Sequence, residues 1–283
     1  MRRASPLLLT ALALVARGEE PGRPVRLEYA FERLAGRTAV YRVETEQVVG
    51  QEVEAARSDH PGEKLAGEAT TRVVERQTWR WAKDAAGARG RVEVETSAVS
   101  ITVEENGKKR AYSSDAPRRA PERLQPLLAR AGTKVGLVVE RSGALVSVEG
   151  VPPEGRAAYQ GALLQLPREP LAPGAGWDRT VTEAMPPLGT ITWSFRYALA
   201  SAAEGKRRIE VRLAAELTEE QGKQRTYDAD LRAQGGRGWL VLDADGMVLE
   251  SLLESNLEIA VKSPTGLQVQ RVRNRTKQAL VPE

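Results

Sequence analysis

The chain has 283 residues, a formal net charge of +4, no cysteine and a single histidine, His60. With so few nitrogen and sulfur ligands we expect no zinc or redox-metal centre, no cofactor and no disulfide framework. A chain of this length can bury a large core, either as one β domain or as two smaller ones.

The first eighteen residues have the layout of a secretory signal peptide. Arg2 and Arg3 form a positive start, residues 6–16 are apolar, and Ala16 and Gly18 place small residues at a cleavage site. We expect export to the periplasm or beyond, without a lipid anchor or a membrane span. Removing the three arginines of this segment from the 42 basic residues leaves 39 against 38 acids, a balance that favours no nucleic-acid partner.

Most of the remaining chain alternates apolar and polar residues with a period of two, as half-buried antiparallel strands do. In residues 190–199 the odd positions are Ile, Trp, Phe, Tyr and Leu, and residues 208–217 repeat the pattern. Glu204 and Gly205 between them predict a hairpin loop. Further strands are predicted at about 38–49, 68–83, 89–104, 133–149, 223–234, 237–244, 247–262 and 265–279.

Two features modify this β pattern. Within residues 89–104 the apolar phase slips by one residue after Val94, which predicts a β-bulge that helps the sheet curl. Residues 120–132 and 152–166 instead carry leucines at helical spacing after a proline, so each predicts a short helix.

The chain is weakly duplicated. Residues 78–95 resemble 194–212, and residues 135–150 resemble 237–252, as if one hairpin pattern were used twice. Shared hairpin preferences would produce the same likeness. Residues 165–181, with their Pro-Gly turn and Trp177, are interpreted as the joint that leads from the helical insertion to the second half.

Motifs that suggest chemistry are weak. Residues 242–248, LDADGMV, begin like a calcium loop but lack its further acceptors, so we predict a hairpin turn with Gly246 in the left-handed conformation. A catalytic triad would need His60, and the chain lacks a nucleophile elbow and a Walker loop. A carboxylate pair, as in glycoside hydrolases, leaves no trace in a sequence.

The apolar stripe of residues 190–199 is the strongest candidate for a binding surface. The simplest interpretation is that it packs into the core. Alternatively, a curled sheet only partly filled by the helical segments leaves a cavity, and tryptophan and tyrosine suit its lining because each joins an apolar ring to a polar group. The candidate lining residues are Ile191, Trp193, Phe195, Tyr197, Leu199, Trp79, Trp81 and Trp239.

A row of basic residues follows one face of the last predicted strand: Arg271, Arg273, Arg275 and Lys277. On an edge strand such a row guards against edge-to-edge aggregation. The functional alternative is a patch for an anionic partner, such as lipid head groups or acidic polysaccharide.

Three segments together resemble an uncharacterised family of secreted bacterial β-rich proteins: the hairpin GLVVERSGALVSVEG, the joint LPREPLAPGAGW and the hairpin GRGWLVLDADGMVLES. The likeness covers roughly residues 38–262 and implies no activity, since that family is a domain of unknown function. More remotely, the organisation is similar to the lipoprotein-carrier fold of the LolA and LppX type. That resemblance implies an open half-barrel around a cavity for acyl chains, with no site residues to transfer.

The sequence therefore predicts a mainly β, α+β fold: a large curved antiparallel sheet or half-barrel with two short helices, near 120–131 and 153–166, on its concave side. Residues 19–283 are expected to form one exported domain, with candidate repeat halves at 38–150 and 176–262. The favoured function is non-catalytic binding of an apolar or amphipathic, lipid-like ligand in the bacterial envelope. The alternatives are an envelope module that binds a partner protein and has a filled core, and a carboxylate-based glycan hydrolase.

Overall fold

The computed structural model describes residues 24–55, 64–84, 89–152, 156, 159, 161–185, 189–218, 228–263 and 266–282. The predicted signal peptide and His60 lie outside the described residues. So does most of residues 153–160, where the second helix was predicted to begin.

The described residues form twelve strands, and alternation of apolar and polar side chains located nearly all of them in the sequence. The strands are β1 (Thr38–Ala55), β2 (Lys64–Lys83), β3 (Arg89–Glu105), β4 (Lys108–Ser113), β5 (Lys134–Glu140), β6 (Leu145–Glu149), β7 (Gly176–Met185), β8 (Gly189–Ala203), β9 (Lys206–Thr218), β10 (Asp228–Leu242), β11 (Val248–Ser263) and β12 (Gly266–Leu280).

All twelve strands belong to one antiparallel sheet in the order β6-β5-β3-β2-β1-β12-β11-β10-β9-β8-β7, with β4 paired to the far half of β3. Two meanders, β1 to β6 and β7 to β11, are joined by β12. The path has two ends and the sheet is open, which confirms the predicted mainly β fold built on a large antiparallel sheet.

Helical structure is sparse among the described residues. Helix α1 (Phe31–Leu34) was not predicted, and α2 (Gln125–Leu128) is a shorter form of the helix predicted over 120–131. Two 3-10 turns, Pro117–Arg119 and Glu122–Leu124, precede α2. Residues 161–166 form a turn and irregular chain, because the backbone N–H of Leu166 bonds to the carbonyl of Ser142 and not within a helix.

The predicted bulge is present. The register between β2 and β3 shifts by one residue between Arg76 and Gln77, where Ser97 has no partner opposite it. Strand β10, predicted as two strands, is continuous through the glycines at 235, 236 and 238. A Cβ on Gly238 would lie 2.3 Å from the carbonyl oxygen of Leu252, so glycine allows β11 to approach closely there.

The strand registers divide the side chains between two faces. We call the face that carries Tyr41, Trp79 and Leu199 the inner face and the opposite one the outer face. The proximal half of the sheet holds these three residues. The distal half extends toward the β1–β2 and β11–β12 connections.

The N-terminal segment, residues 24–34, fills the proximal half of the inner face. Tyr29 and Phe31 are fully buried, and the Tyr29 ring stacks on that of Trp81 with centroids 5.9 Å apart. The backbone N–H of Tyr29 bonds to the carbonyl of Arg141 in the β5–β6 turn, at 2.9 Å. The N–H of Ala30 bonds to Asp245 in the β10–β11 turn at the same distance. The two hairpin turns that resemble each other in sequence therefore hold one buried segment between them.

Residues 165–181 form the predicted joint between the two meanders. Leu171 exchanges backbone hydrogen bonds with Val25, and the joint then enters β7 at Gly176. The Trp177 ring stacks on Tyr197 at 5.1 Å while its indole N–H donates to the carbonyl of Gln165. The joint thus brings β7 to the same hydrophobic core that the first meander contacts. The two meanders therefore both pack on the N-terminal segment.

Candidate functional site

Four of the eight aromatic and apolar candidates lie in the filled proximal core. Trp79 is 6% exposed and packs edge-on against Tyr41, and Trp81 is covered by Tyr29 and Phe31. Tyr197 and Leu199 are buried in the same cluster. Burial raises the pKa of the Tyr197 phenol, as expected for a group removed from water.

Of the other four, Phe195 lies at the margin of that core, where its ring stacks on Tyr197 with centroids 6.1 Å apart, and the remaining three lie outside it. Trp193 and Phe195 are half-buried on the inner face of β8, and Ile191 is buried beside them in a small cluster with Ala215 and Ile259. Trp239 lies on the outer face, where the guanidinium of Arg208 sits 4.9 Å above its ring. Trp193 and Phe195 are therefore the candidates that combine an inner position with partial exposure.

The centre of the distal inner face is polar. Gln47 of β1 donates a hydrogen bond of 3.1 Å to Asn274 of β12, and Thr45 lies 3.4 Å from Thr276 through their hydroxyl groups. Further glutamines continue this floor toward the distal end, and they are exposed to solvent: Gln51, Gln268 and Gln270. Water therefore reaches this part of the inner face.

Apolar side chains flank the polar floor on both sides. On one side Ile101 and Val103 of β3 are buried under Leu124 and Leu128, which the 3-10 turn and α2 lay over the sheet. On the other side stand the half-buried residues of β8 to β11: Phe195, Trp193, Leu213, Leu253 and Leu257.

One row across the inner face shows the arrangement residue by residue. Strand pairing places these side chains in sequence: Arg110, Val103, Thr71, Gln47, Asn274, Ser255, Gly236, Leu213 and Phe195. The middle is polar and Gly236 leaves a position without a side chain. Leu213 and Phe195 form an apolar flank on one side, and on the other side Val103 is followed by the exposed Arg110. This row therefore carries polar and apolar side chains on one face of the sheet.

Two depressions lie on the distal inner face beside β3. The groove, of about 450 Å³, is lined by Val49, Gln51, Val53, Gly67 and Ala69 together with Glu105 and Asn106. The basic pocket, of about 280 Å³, is lined by Val103, Lys108, Arg110, Tyr112, Arg123 and Leu124 and also reaches Glu105 and Asn106. The two depressions meet at these shared residues, where Asn106 and Gly107 form the left-handed turn from β3 to β4.

The basic row of β12 has a different environment from the one predicted. Strand β12 lies between β1 and β11, so the interpretation as an edge strand is wrong. Arg271 bonds to Glu258 and Glu52, Arg273 to Glu68, and Arg275 contacts Glu254 at 3.5 Å. These arginines are matched by carboxylates on the same outer face, so little positive charge remains for a partner.

The outer face also holds two shallow depressions, of about 580 and 590 Å³. Four of their five carboxylates, Glu52, Glu68, Glu254 and Glu258, are the partners of those arginines, and the fifth, Glu46, lies opposite Arg275 on the neighbouring strand. The arrangement is a cross-strand ladder of ion pairs, and it singles out no carboxylate pair for hydrolysis.

The LDADGMV segment forms the predicted turn. Gly246 has a φ of +90°, and the Asp243 carboxylate accepts hydrogen bonds from the backbone N–H groups of Asp245 and Met247. Arg37 pairs with both aspartates. Within the described ranges, no group of three or more acidic or histidine side chains is placed to hold a metal ion.

Comparisons with known proteins do not assign the chain to a family. No protein-family model and no curated protein matches the chain. Among solved structures it is similar to an outer membrane channel from Pseudomonas putida F1 at 8% identity, over 88% of this chain and 98% of that chain, with a TM-score of 0.17. A score of that size carries no weight for fold or function. Among the described residues no helix is long and apolar enough to cross a membrane.

Sequence reasoning missed β4 and the cations around it. The segment KKRAYS lacks apolar alternation, and five of its six residues are polar or charged or small. The preceding Asn106-Gly107 pair is the strongest short hairpin indicator known for a sequence and would have revealed the strand.

Proposed function

We propose that the protein binds an amphipathic, lipid-like ligand on the distal inner face of its sheet, without catalysis, in the bacterial envelope. The observation that carries the proposal is the solvent-exposed polar floor between two apolar flanks. In the proximal half Tyr29 and Phe31 occupy the equivalent space, so ligand binding there would require the N-terminal segment to leave.

Half-buried aromatic side chains support the apolar contacts. Trp193 and Phe195 each keep part of the ring accessible, and a ligand that covers them removes apolar surface from water, a gain of about 25 cal/mol per Å². Gln47 and Asn274 bond to each other at the floor and retain capacity for a polar group of the ligand.

The groove also has room for a ligand. A Cβ built on Gly67 would meet no atom within 4 Å, so this position of the lining faces open space. The groove volume of about 450 Å³ falls within the range of roughly 300–1,000 Å³ usual for small-molecule sites.

Native mass spectrometry tests the proposal on protein purified gently from a bacterial periplasm. We expect added mass that extracts into organic solvent and that is reduced both in the Trp193→Ala, Phe195→Ala double variant and in Gly67→Leu. Trp239→Ala is the matched control, because it removes the same ring from the outer face, and it should retain the added mass. A bare polypeptide mass that persists after exposure to fatty acid and phospholipid would contradict ligand binding.

A protein-interaction module is the second candidate, favoured by the filled proximal core. In that case the strands that end the sheet, β6 and β7, offer edges to a partner chain. Retention of a stoichiometric protein, and not of lipid, in the same experiment would support this candidate.

A further inference from the structure

We propose that the basic pocket binds the anionic head group of a single-chain amphiphile whose tail lies in the adjoining groove. This inference rests on the proposed function and specifies the chemistry of its ligand. It follows from the placement of six cations around β4 and the 3-10 turns: Lys108, Lys109, Arg110, Arg118, Arg119 and Arg123.

These six cations differ from the arginines of β12 in one respect. All six are exposed, and none forms an ion pair with a carboxylate in the described part of the chain. Arg271 and Arg275 each have an acidic partner on the neighbouring strand β11, and Arg273 pairs with Glu68 of β2, one strand further away. Cations without an acidic partner are therefore concentrated around β4 and the two 3-10 turns, and not along the arginine row of β12 that the sequence analysis considered.

Only three of the six line the pocket. Lys108 and Arg110 lie on the inner face of β4, since Arg110 pairs in register with Val103, and Arg123 approaches from the 3-10 turn opposite. The one acid in the lining is Glu105. Three cations against one acid favour an anion, and arginine forks suit the two oxygens of a carboxylate or phosphate.

The apolar part of the pocket indicates that the anion carries a chain. Val103 and Leu124 are buried beneath the cations, and Tyr112 packs partly buried against them. At about 280 Å³ the pocket is smaller than the usual range of roughly 300–1,000 Å³ for a whole ligand. It therefore suits a head group and the first methylenes. The groove that it meets at Asn106 provides the apolar surface of Val49, Val53 and Ala69 for the rest.

Calorimetric titration of the purified protein tests the inference with three probes. Oleate carries both chain and charge, oleyl alcohol carries the chain alone, and acetate or inorganic phosphate carries the charge alone. We expect oleate to bind at least roughly tenfold more tightly than the alcohol, because charge-assisted hydrogen bonds form only with the anion. The small anions should bind more weakly than either.

Variants locate the effect. Lys108→Gln, Arg110→Gln and Arg123→Gln together should lower oleate affinity about tenfold and leave oleyl alcohol affinity unchanged. Arg118→Gln with Arg119→Gln is the matched control: it removes unpaired, exposed arginines outside the pocket and should preserve oleate affinity. Urea unfolding of each variant shows whether the fold is retained.

The outcomes separate this inference from the proposed function. If oleyl alcohol binds as tightly as oleate, or if the control pair weakens oleate as much as the pocket variant, the head-group assignment is overturned while amphiphile binding stands. Binding of inorganic phosphate as tight as that of oleate would show a free-anion site and would also overturn it. If neither oleate nor the alcohol binds, the proposed function fails as well.

Discussion

The ring of Tyr29 lies against that of Trp81 on the inner face of the sheet, with centroids 5.9 Å apart and planes inclined by 23°. This contact decides which part of the sheet is available. It closes the proximal half as a core and leaves the distal half, with Gln47, Trp193 and Phe195, as the accessible inner surface.

Tyr29→Ala should lower the free energy of unfolding by about 3–5 kcal/mol, because a large buried aromatic is replaced by a cavity. Tyr29→Phe, which only removes the hydroxyl bond to the carbonyl of Leu164, should cost about 1 kcal/mol. Urea unfolding measures both. Equal losses in the two variants would mean that the hydroxyl, and not the packing, holds the segment.

Gly143→Ala should destabilise the protein more than Gly132→Ala. Both glycines have positive φ, at +80° and +83°, so both variants carry backbone strain of about 1–2 kcal/mol. At Gly143 a Cβ would also lie 2.3 Å from the Leu164 carbonyl oxygen and 2.7 Å from the Tyr29 ring, whereas at Gly132 it meets nothing within 4 Å. We expect a further loss of about 1–3 kcal/mol at Gly143 from this overpacking, measured by urea unfolding. Equal losses in the two variants would contradict the close packing of the β5–β6 turn against Tyr29 and Leu164.

Alkaline pH should destabilise the fold through its buried tyrosines. Burial is the largest cause that raises the pKa of Tyr29 and Tyr41 above the usual phenol value. In the unfolded chain both ionise near pH ~10, while the native state keeps their protons. Their contribution to stability is therefore fully present below about pH 10 and is lost as the pH rises above it.

Tyr41→Phe removes one of these groups together with its hydrogen bond of 2.8 Å to the Val248 carbonyl. The variant should be less stable at neutral pH yet lose less stability between about pH 9 and about pH 11 than the parent protein. Unfolding free energies across this interval measure the slope. A parallel decline in both proteins would show that Tyr41 does not contribute to it.

Arg271→Glu should lower the midpoint of urea unfolding, because Arg271 lies between Glu52 and Glu258 and the variant places a third carboxylate there. The deficit should shrink at high salt, since exposed charges are screened. Arg212→Glu is the opposite-sign control, as Arg212 faces Arg196 and Arg237 on the two neighbouring strands. It should leave the midpoint unchanged or raise it. A similar loss in both variants would contradict the charge ladder.

The local alternation of apolar and polar residues was sufficient to predict where the strands lie in the chain. It was not sufficient to predict which strands lie beside each other in the sheet. The alternation of apolar and polar residues predicted β8, β9 and the bulge in β3, because each of these strands has one buried face. The edge position expected for β12 was wrong because its partner β1 lies more than 200 residues away in the chain, and no local pattern reports that pairing.

The candidate site shows the same limit. Trp193 and Phe195 alternate with the polar residues Thr192, Ser194 and Arg196, so the sequence predicted that the two rings share a face of the strand. The register of β8 with β9 confirms this prediction. Trp239 is followed by Leu240, Val241 and Leu242, an unbroken apolar run in which no period assigns a face, and it lies outside. The role of Tyr29 was not predicted because it depends on contacts with residues more than 100 positions away.

The most direct test of amphiphile binding on the distal inner face uses the absence of cysteine from the chain. Gln51→Cys places a single thiol on the exposed inner face, in the lining of the groove, and Ser194→Cys places one on the exposed outer face of β8. The rate of thiol alkylation is measured for each variant with and without oleyl alcohol or oleate.

We expect ligand to slow alkylation at position 51 by about fivefold or more, because a covered thiol is less accessible to reagent, and to leave the rate at position 194 unchanged. Equal rates with and without ligand at position 51, or equal slowing at both positions, would contradict amphiphile binding on the distal inner face.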